Sequence, residues 1–373
     1  MTAVAPAPAT PRQPAAGPLR VAVLGATGYV GAELVRLLER HPHVRIVGLA
    51  ARNREDVPVG DAFAHLAETG HRIDAELPPA SEVDAVFFAL PHGQAAALAP
   101  PLAAAGLLVI DLGPDFRLSD AADYPGWYGF EHPAPELLPG GSGRTAGGSG
   151  AIPAAVYGLV ELHRTELSGA RIVGAPGCYP TASLLALAPL ARAGLIADVV
   201  VDAKSGVSGA GREPKLESHF SEVNESLRPY GLGGHRHLAE LRQELRGLGV
   251  APEVAAAMVF TPHLVPMTRG LLSTCYVRPT RPVDQDELDR LYAEAYEGEP
   301  FVHHTSSGPA TKTVSGSNLA RVYARLDPSG GRIVAIGAID NLVKGAAGQA
   351  VQAFNVAAGL PETAGLEQLP LYP

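Results

Sequence analysis

The sequence of 373 residues has only two cysteines, Cys178 and Cys275. Two thiols are too few for a disulfide framework or for a zinc site built on cysteines. They suit a reducing compartment, so we expect the protein to be cytoplasmic. No HExxH motif or Cys/His cluster occurs, and the His235–His237 pair has no nearby carboxylate except Glu240. We therefore predict no metal site.

Positive charge is also scarce. Lysine and arginine number 29 against 38 acidic residues, which gives a net charge of −9 when histidine is neutral. A chain without a basic excess lacks the electrostatic footprint of nucleic-acid binding. We therefore expect no nucleic-acid partner.

Long uninterrupted apolar runs are missing as well. The longest uncharged stretch, residues 85–110, is broken by three prolines and two glycines. Such a stretch is typical of a strand, a loop, a helix and a second strand, so we predict no membrane span. Residues 1–18 are rich in Ala and Pro and have no apolar core, which excludes a signal peptide and predicts a disordered tail.

The remaining composition is that of a globular protein, with 46% hydrophobic and 18% charged residues. Its length predicts about two domains. In the first part, buried strands alternate with helical patterns, which predicts an α/β fold with a Rossmann-type, doubly wound parallel sheet. The predicted strands are 19–24, 44–49, 85–90, 107–112 and 171–175, and the first helix is 29–40.

A second α+β domain with a more antiparallel sheet is expected after residue 178. Its predicted strands are 199–203, 254–260, 271–277 and 333–339, and the predicted helices in this half are 181–193, 284–296 and 342–358. The Gly/Ser-rich stretch Pro139–Gly150 predicts a flexible surface loop. We assign residues 19–177 and 340–373 to a dinucleotide-binding domain and 178–339 to a catalytic domain.

A glycine-rich loop follows the first strand, with the sequence GATGYVG from Gly25 to Gly31. Gly25 permits the tight turn, Gly28 lets the backbone approach a pyrophosphate, and Gly31 permits close packing of the helix on the sheet. Thr27 and Tyr29 complete the loop, and the helix N-terminus adds N–H donors. The loop predicts a dinucleotide site, and a tight turn without a ligand is the alternative.

The end of the second strand discriminates between the two nicotinamide dinucleotides. NAD sites usually carry an acid there, whereas NADP sites offer a cation. This strand runs into Arg52 and Arg54, with no acid before Glu55. We therefore predict NADP(H), with Arg52 or Arg54 near the 2′-phosphate, and a solvated basic loop is the alternative.

Cys178 lies in the segment PGCYPT, just before a predicted helix for which Thr181 is a plausible N-cap. The positive end of the helix dipole favours a thiolate at this place. We predict a nucleophile, although a lone cysteine is more often a buried structural residue, as we expect for Cys275. A dinucleotide loop combined with a thiolate suggests attack on an activated acyl group, followed by hydride exchange with the thioester.

The segment His235-Arg236-His237 provides candidates for acid–base catalysis, because imidazole titrates near neutral pH. In an extended segment the two histidines would share a face. His263 and the pair His303-His304 are rival candidates. Pro91 and His92 follow a strand end, where doubly wound folds place ligands, so we expect them to contact the cofactor.

Seven motifs in order resemble the N-acetyl-γ-glutamyl-phosphate reductase family of arginine biosynthesis, whose wider superfamily includes aspartate-semialdehyde dehydrogenase. The similarity extends from about residue 19 to the C-terminus. The motifs are GATGYVG, FFALPHG, DLGPDFRL, APGCYPTA, KSGVSGAGR, HRH and AIDNLVKGAAGQAVQAFN.

The resemblance implies NADPH-dependent reduction of a small acyl phosphate, N-acetyl-L-glutamyl 5-phosphate, to the 5-semialdehyde and phosphate. It implies Cys178 as the nucleophile and His235 as the acid–base residue, with His237 lining the substrate site and Asn341 near the nicotinamide. It also suggests a homo-oligomer, specifically a tetramer. A strongly anionic substrate requires cations or N–H donors, for which Arg117, Arg212 and the loop around Ser208 are the candidates.

Three alternatives remain open. In the aspartate-semialdehyde branch, an acid–base histidine follows the strand that resembles Leu264–Gly270, whereas here Leu271 follows it. The first two alternatives are therefore related reductases, one that acts on aspartyl phosphate and one that acts on a carrier-linked aminoadipyl phosphate. A regulator that binds NADP without catalysis is the third alternative, but it has no need for a thiolate beside an acid–base group.

Overall fold

The structure is a computed structural model that describes residues 17–52, 54–146, 150–328 and 331–372. All but the last two residues of the predicted tail 1–18 therefore lie outside the described residues. The chain forms two compact units. The first contains the residues up to Ala175 together with Gln349–Leu366, and the second contains Pro176–Gly348 and the residues from Glu367 onward.

The strands of the described residues alternate with helices in the first unit and form a second sheet in the other. They are β1 (Leu19–Leu24), β2 (Val44–Ala50), β3 (Val57–Pro58), β4 (Arg72–Asp74), β5 (Ala85–Phe88), β6 (Leu108–Asp111), β7 (Arg144–Ala146), β8 (Gly150–Ile152), β9 (Val156–Tyr157), β10 (Ile172–Gly174), β11 (Asp198–Gly206), β12 (Arg228–Pro229), β13 (Val259–Val265), β14 (Leu271–Arg278), β15 (Val302–His304), β16 (Ala320–Leu326) and β17 (Ile333–Ile339).

The α-helices of the same residues are α1 (Tyr29–Leu38), α2 (Val59–Ala62), α3 (Ala95–Ala104), α4 (Asp123–Tyr128), α5 (Val160–Leu167), α6 (Cys178–Arg192), α7 (Phe220–Val223), α8 (His237–Gly247), α9 (Pro252–Ala257), α10 (Gln285–Ala295) and α11 (Gly348–Ala358). A π-helical turn, Val343–Ala347, precedes α11.

The first unit is built on an eight-stranded sheet in the order β3-β4-β2-β1-β5-β6-β10-β9. The pairings from β4 to β9 are parallel, and only the edge pair β3–β4 is antiparallel. β1 lies between β2 and β5, so the chain reverses its direction of strand addition at β1. This topology confirms the predicted doubly wound sheet and places its switch point at the end of β1.

Helix α11 returns the chain to the first unit. The ring of Phe354 lies 5.4 Å from that of Phe87 in β5. The buried side chains of His41 and Asn355 share a hydrogen bond of 2.9 Å, and Gln349 Nε2 donates to the Gly158 carbonyl at 2.9 Å. Asn355 and the Nε2 of Gln349 are thus hydrogen-bonded inside the unit, whereas the buried Oε1 of Gln349 has no hydrogen-bond partner among the described residues.

The second unit contains a seven-stranded mixed sheet in the order β12-β13-β11-β14-β17-β16-β15. Helix α6 packs on this sheet, and its residues from Tyr179 to Ala191 are all buried. The hydroxyl groups of Ser183 and Ser273 are 2.7 Å apart, and the Tyr292 hydroxyl donates to the Ala186 carbonyl. The predicted α+β unit, with more antiparallel pairing than the first, is confirmed.

Two local predictions are wrong. Residues 254–260 do not form one strand, because α9 begins at Pro252 and β13 starts only at Val259. Proline is favoured at the first helical position and the alanines that follow favour helix, which outweighs one β-branched valine. The stretch Pro139–Gly150 is not simply a loop, since it contains β7, which pairs antiparallel with β8 at its end; residues 147–149 lie outside the described residues.

Replacement of Gly337 by alanine tests the packing of α6 on the sheet. A Cβ at Gly337 would lie 2.2 Å from the Ala182 carbonyl oxygen. We expect Gly337→Ala to lower the free energy of unfolding by about 1–3 kcal/mol through overpacking. Urea unfolding followed by circular dichroism measures this change. The control is Gly247→Ala at the end of α8, where an added Cβ meets no atom within 4 Å. Equal stability of both variants would contradict the prediction.

Candidate active site

The glycine loop of the first unit forms a tight turn between two neighbouring strand ends. The Gly25 N–H donates to the Ala50 carbonyl at the end of β2, at 2.8 Å. Gly25 has a φ of +96°, and a Cβ there would lie 2.3 Å from the Ala89 carbonyl oxygen beyond β5. Only glycine fits this conformation and this close approach.

The rest of the loop is shaped for a ligand with a diphosphate. A Cβ on Gly31 would lie 2.3 Å from the Gly25 carbonyl oxygen, so Gly31 permits close packing. Gly28 is the N-cap of α1 without a side-chain cap, and a Cβ there would meet only Gly25 O, at 3.7 Å. The helix N-terminus is therefore open to an approaching anion, which fits a dinucleotide. Thr27 is half-buried and Tyr29 is exposed at the start of α1.

The two arginines predicted to contact the 2′-phosphate follow the strand that is hydrogen-bonded to this loop. Arg52 and Arg54 are exposed and follow β2, whose last residue, Ala50, accepts the hydrogen bond from Gly25. Asn53 between them lies outside the described residues. Pro91 and His92, after β5, are also exposed, and the His92 ring lies 6.4 Å from that of Tyr128.

In the second unit, Cys178 is the first residue of α6 and Gly177 is its N-cap. The prediction of Thr181 as the N-cap is wrong. Its hydroxyl lies inside the helix and donates back to the Gly177 carbonyl at 2.9 Å. The helix starts three residues earlier because the PGC turn already supplies the extended N-cap conformation. Cys178 therefore lies directly at the positive end of the helix dipole.

The two cysteines differ sharply in environment. Cys178 is partly exposed, whereas Cys275 in β14 is fully buried. Burial raises the pKa of the Cys275 thiol to about 12, with a smaller opposing effect from its contact with Ser273. Cys275 is thus a structural thiol, as the sequence predicted.

Cys178 opens into a cavity of about 320 Å³ within the second unit. The cavity wall combines aromatic, imidazole and cationic side chains. Its lining includes Tyr179, Ser205, Lys215, Arg228, Tyr230, His235, Arg236 and His237. A nucleophile, two imidazoles and three cations thus meet in one place, a combination suited to an anionic acyl substrate.

The two predicted histidines are neighbours, with ring centroids 4.7 Å apart. They do not share the face of an extended strand, since His237 is the first residue of α8. The His237 N–H donates to His235 Nδ1 at 3.1 Å, so the neutral His235 ring carries its proton on Nε2. Burial, and secondarily Arg236, lowers the pKa of His235 to about 4.

A buried acid that the sequence analysis did not select as a site residue joins this group. Glu240 is fully buried; its Oε2 accepts from the Gly177 N–H at 2.9 Å, and its Oε1 lies 3.9 Å from His237 Nε2. A Cβ on Gly177 would lie 2.5 Å from that same nitrogen. The signal was the i, i+3 spacing between His237 and Glu240 on one helix.

Two tyrosines also went unpredicted. The Tyr230 hydroxyl donates to the Tyr179 hydroxyl at 3.1 Å, which in turn donates to the His263 carbonyl at 3.0 Å. Burial raises the pKa of Tyr230 to about 12, so its phenol stays protonated. The rival His263 pairs with Asp202 at 3.2 Å, and neither His303 nor His304 lines the cavity.

The structure divides the remaining predicted residues between the two units. Arg117 lies buried in the first, where its Nε donates to the Ala175 carbonyl at 2.7 Å and its Nη2 to that of Leu112 at 2.9 Å. In the second, Asn341 Nδ2 donates to Ser208 Oγ at 2.9 Å, while Arg212 is exposed on a loop.

Asn341 also fixes the turn before β14, since its Oδ1 accepts from the Gly270 N–H at 2.8 Å.

Within the described ranges, no cluster of three or more His, Cys, Asp or Glu side chains is placed to hold a metal ion. None of the helices in the described part of the chain has the length and apolar character needed to cross a membrane.

Two family models match the chain, one over the part with the glycine loop and one over the part with the Cys178 cavity. Residues 20–170 match the NAD-binding domain of semialdehyde dehydrogenase, and residues 178–341 match its dimerisation domain. Aspartate semialdehyde dehydrogenase II of Vibrio cholerae, solved with ASA, has a TM-score of 0.66 at 21% identity and covers 91% of this chain and 98% of its own. The enzyme of Candida albicans, solved with NADP, has a TM-score of 0.63 at 18% identity over 91% of this chain and 98% of its own.

The fold and the two sites thus define an oxidoreductase of the semialdehyde dehydrogenase class that uses a nicotinamide dinucleotide. Curated relatives are more specific. N-acetyl-gamma-glutamyl-phosphate reductase of Desulforudis audaxviator is 46% identical over 95% of this chain and 100% of its own length. That of Geobacillus kaustophilus is 44% identical over the same shares. The chain belongs to the N-acetyl-gamma-glutamyl-phosphate reductase family.

The environment of His235 predicts a pH dependence of stability. Its pKa is about 4 in the folded chain against an ordinary 6.5. Above pH 6.5 the ring is neutral in both states and contributes nothing. As the pH falls from about 6.5 to about 4, only the unfolded chain binds the proton, so the folded state loses stability. We expect the loss to reach about 2–3 kcal/mol near pH 4.5.

The measurement is urea unfolding of the protein and of His235→Gln at about pH 7.5 and about pH 4.5. The variant should lose less stability on acidification than the protein itself. His219→Gln, at an exposed histidine, is the matched control and should follow the unsubstituted chain. The same acid-induced loss in His235→Gln and in the unsubstituted chain would refute the assignment.

Proposed function

We propose that the chain reduces N-acetyl-L-glutamyl 5-phosphate with NADPH to N-acetyl-L-glutamate 5-semialdehyde and phosphate, through a thioester on Cys178, as a step of L-arginine biosynthesis. The observation that carries the proposal is Cys178 at the start of α6, in a cavity that also holds His235 and His237. The names of the curated relatives favour this substrate over aspartyl phosphate or a carrier-linked aminoadipyl phosphate.

Activation of the nucleophile follows from its position. The N-terminus of α6 favours an anionic sulfur, and a neutral histidine can accept the thiol proton. Cys178 Sγ attacks the acyl carbon, the bond from that carbon to the phosphate oxygen breaks, and phosphate leaves. The acyl group is then held on Sγ as a thioester.

A dinucleotide held by the glycine loop would supply the hydride that reduces the acyl carbon. The protonated histidine gives its proton to the carbonyl oxygen, which produces a thiohemiacetal on Cys178. When the histidine takes back the hydroxyl proton, the carbonyl re-forms and the C–S bond breaks. The aldehyde leaves, and Sγ is again a thiolate for the next cycle.

Either histidine of the cavity could perform this proton transfer. His235 is the candidate that the sequence resemblance favours, with His237 lining the substrate. The contacts of His237 with Gly177 and Glu240 support the reverse order equally well. Burial keeps His235 neutral near pH 7, but the low pKa and the engagement of Nδ1 by the His237 N–H make this ring a weaker acceptor of the thiol proton than an ordinary imidazole.

Recognition of the anionic substrate requires cations or N–H donors. Arg212, Arg117 and Ser208 remain the predicted binders. Lys215 and Arg228 are additional candidates, because both line the Cys178 cavity. Cations on the wall of a partly desolvated cavity bind phosphate and carboxylate more strongly than they would in bulk water.

The choice of NADP(H) is supported by Arg52 and Arg54, which follow the strand beside the glycine turn. Gly25, Thr27, Gly28, Tyr29 and Gly31 would hold the diphosphate, and Pro91, His92 and Asn341 remain predicted contacts. The functional division into 19–177 with 340–373 and 178–339, the homotetramer and the cytoplasmic location also stay predictions.

The reverse reaction tests the proposal without the labile acyl phosphate. The protein is mixed with N-acetyl-glutamate semialdehyde, NADP and phosphate, and NADPH is followed by its absorbance. We expect phosphate-dependent NADPH formation, selective over aspartate semialdehyde. Cys178→Ala should lose activity by at least about 1,000-fold, because the covalent route disappears. Cys275→Ala is the matched control.

The outcomes are distinct. Activity only with aspartate semialdehyde would reject the substrate but keep the thioester route. NADPH binding without turnover on any semialdehyde would favour the regulator. Substitution of His235 and His237 by glutamine in the same assay identifies the acid–base residue as the one whose loss removes turnover.

The double variant Arg52→Ala, Arg54→Ala tests the dinucleotide preference. We expect the ratio of kcat/KM for NADPH to that for NADH to fall by about 10- to 100-fold, because charge-assisted contacts to the 2′-phosphate are lost. The control is Arg45→Ala, an exposed arginine at the opposite end of β2. An unchanged ratio in the double variant would mean that these arginines belong to a solvated loop that does not contact the 2′-phosphate.

A further inference from the structure

A fully buried carboxylate, Asp115, lies beneath the loop that follows β5. Its Oδ1 accepts from the Gly93 N–H at 2.8 Å, and its Oδ2 accepts from the Ala96 N–H at 2.9 Å. Gly93 belongs to the loop, and Ala96 belongs to the first turn of α3. One side chain therefore ties the loop and the start of the helix together.

Asp115 is itself fixed by its neighbours. Its N–H donates to Asp111 Oδ2 at 3.1 Å, and its carbonyl accepts from the Tyr124 hydroxyl at 2.8 Å. Asp111 is also fully buried, and its Oδ1 accepts from the Gly113 N–H at 2.9 Å. Asp111 thus fixes the backbone of Asp115, and both carboxylate oxygens of Asp115 are directed to backbone groups of the loop and of α3.

The loop that Asp115 holds lies beside the dinucleotide cradle. β5 pairs with β1, and the Ala89 carbonyl at its end lies against the Gly25 turn. Ligands of doubly wound sheets bind outside the carboxyl ends of the strands at the switch point, which here is β1. The turn 90–93 therefore forms a wall of this crevice.

We propose that Asp115 is a positioning residue for the nicotinamide dinucleotide. Through the N–H groups of Gly93 and Ala96 it holds Pro91 and His92 at the cradle, and so it sets the affinity for NADPH. The inference rests on the proposed function, because that function identifies the dinucleotide as NADPH.

The experiment measures binding and turnover separately. Asp115→Asn keeps the size of the side chain, but an amide accepts through one oxygen only and presents its NH2 to the other N–H. We expect the Kd for NADPH, titrated by the fluorescence of the nucleotide, to rise about 10-fold. At saturating nucleotide, kcat of the reverse reaction should stay within about threefold.

The matched control is Asp120→Asn. Asp120 lies in the same loop region, is exposed, and its Oδ1 also accepts a backbone N–H, from Ala122 at 2.9 Å. Its replacement should leave the Kd for NADPH unchanged. A folded Asp115→Asn protein with the original Kd would overturn the inference, as would a loss of kcat at saturating nucleotide without a change in Kd.

A second variant keeps the test decisive if Asp115→Asn does not fold. Gly93→Ala retains Asp115 but strains the turn, because Gly93 has a φ of +79°, a conformation that residues with a Cβ rarely adopt. A raised Kd for NADPH supports the inference, and an unchanged Kd rejects it. If the unsubstituted protein does not bind NADPH, the proposed function fails instead.

Discussion

The close approach of three elements, α6, α8 and the π-helical turn, at the N-terminus of α6 is the constraint on which the second unit depends. Gly177 has no room for a side chain because the His237 ring occupies that space, and its N–H is held by Glu240. From the other side, a Cβ on Gly345 in the π-helical turn would lie 2.7 Å from that of Cys178. The two glycines thus let α8 and the π-helical turn pack closely around Cys178.

This packing explains why a fully buried acid is retained next to a histidine. A buried carboxylate is costly unless its oxygens are satisfied, and Glu240 receives a backbone N–H from the residue before the nucleophile. The same hydrogen bond fixes the N-cap of α6. The geometry of Cys178 and the orientation of His237 are therefore coupled through one side chain.

The first unit is organised differently. Its strands β5, β6 and β10 are buried on both faces, and the carboxyl ends of the parallel strands lead into loops. Gly25 brings the first loop against the ends of β2 and β5. The unit can therefore offer backbone N–H groups and loop residues to a ligand, while Cys178 belongs to the other unit.

Most of the fold could be read from local patterns. The strands β1 and β17 have the predicted bounds, because short β-branched runs that end at Gly or Asp are little affected by their surroundings. The start of α6 was misplaced by three residues. Cys178 and Tyr179 give no strong helical signal by themselves, and the N-cap at Gly177 is set by contacts with α8, about 60 residues later.

The sequence by itself determined the class of fold and the glycine turn, and it selected Cys178 and the pair of histidines as candidates, because each depends on a residue type at a local spacing. Only the tertiary structure decided that Glu240 holds Gly177, that Arg117 is bound to backbone carbonyls, and that Ser208 and Asn341 are partners. These contacts join residues 58 to 133 positions apart. Their formation depends on how whole strands and helices pack, which local patterns do not encode.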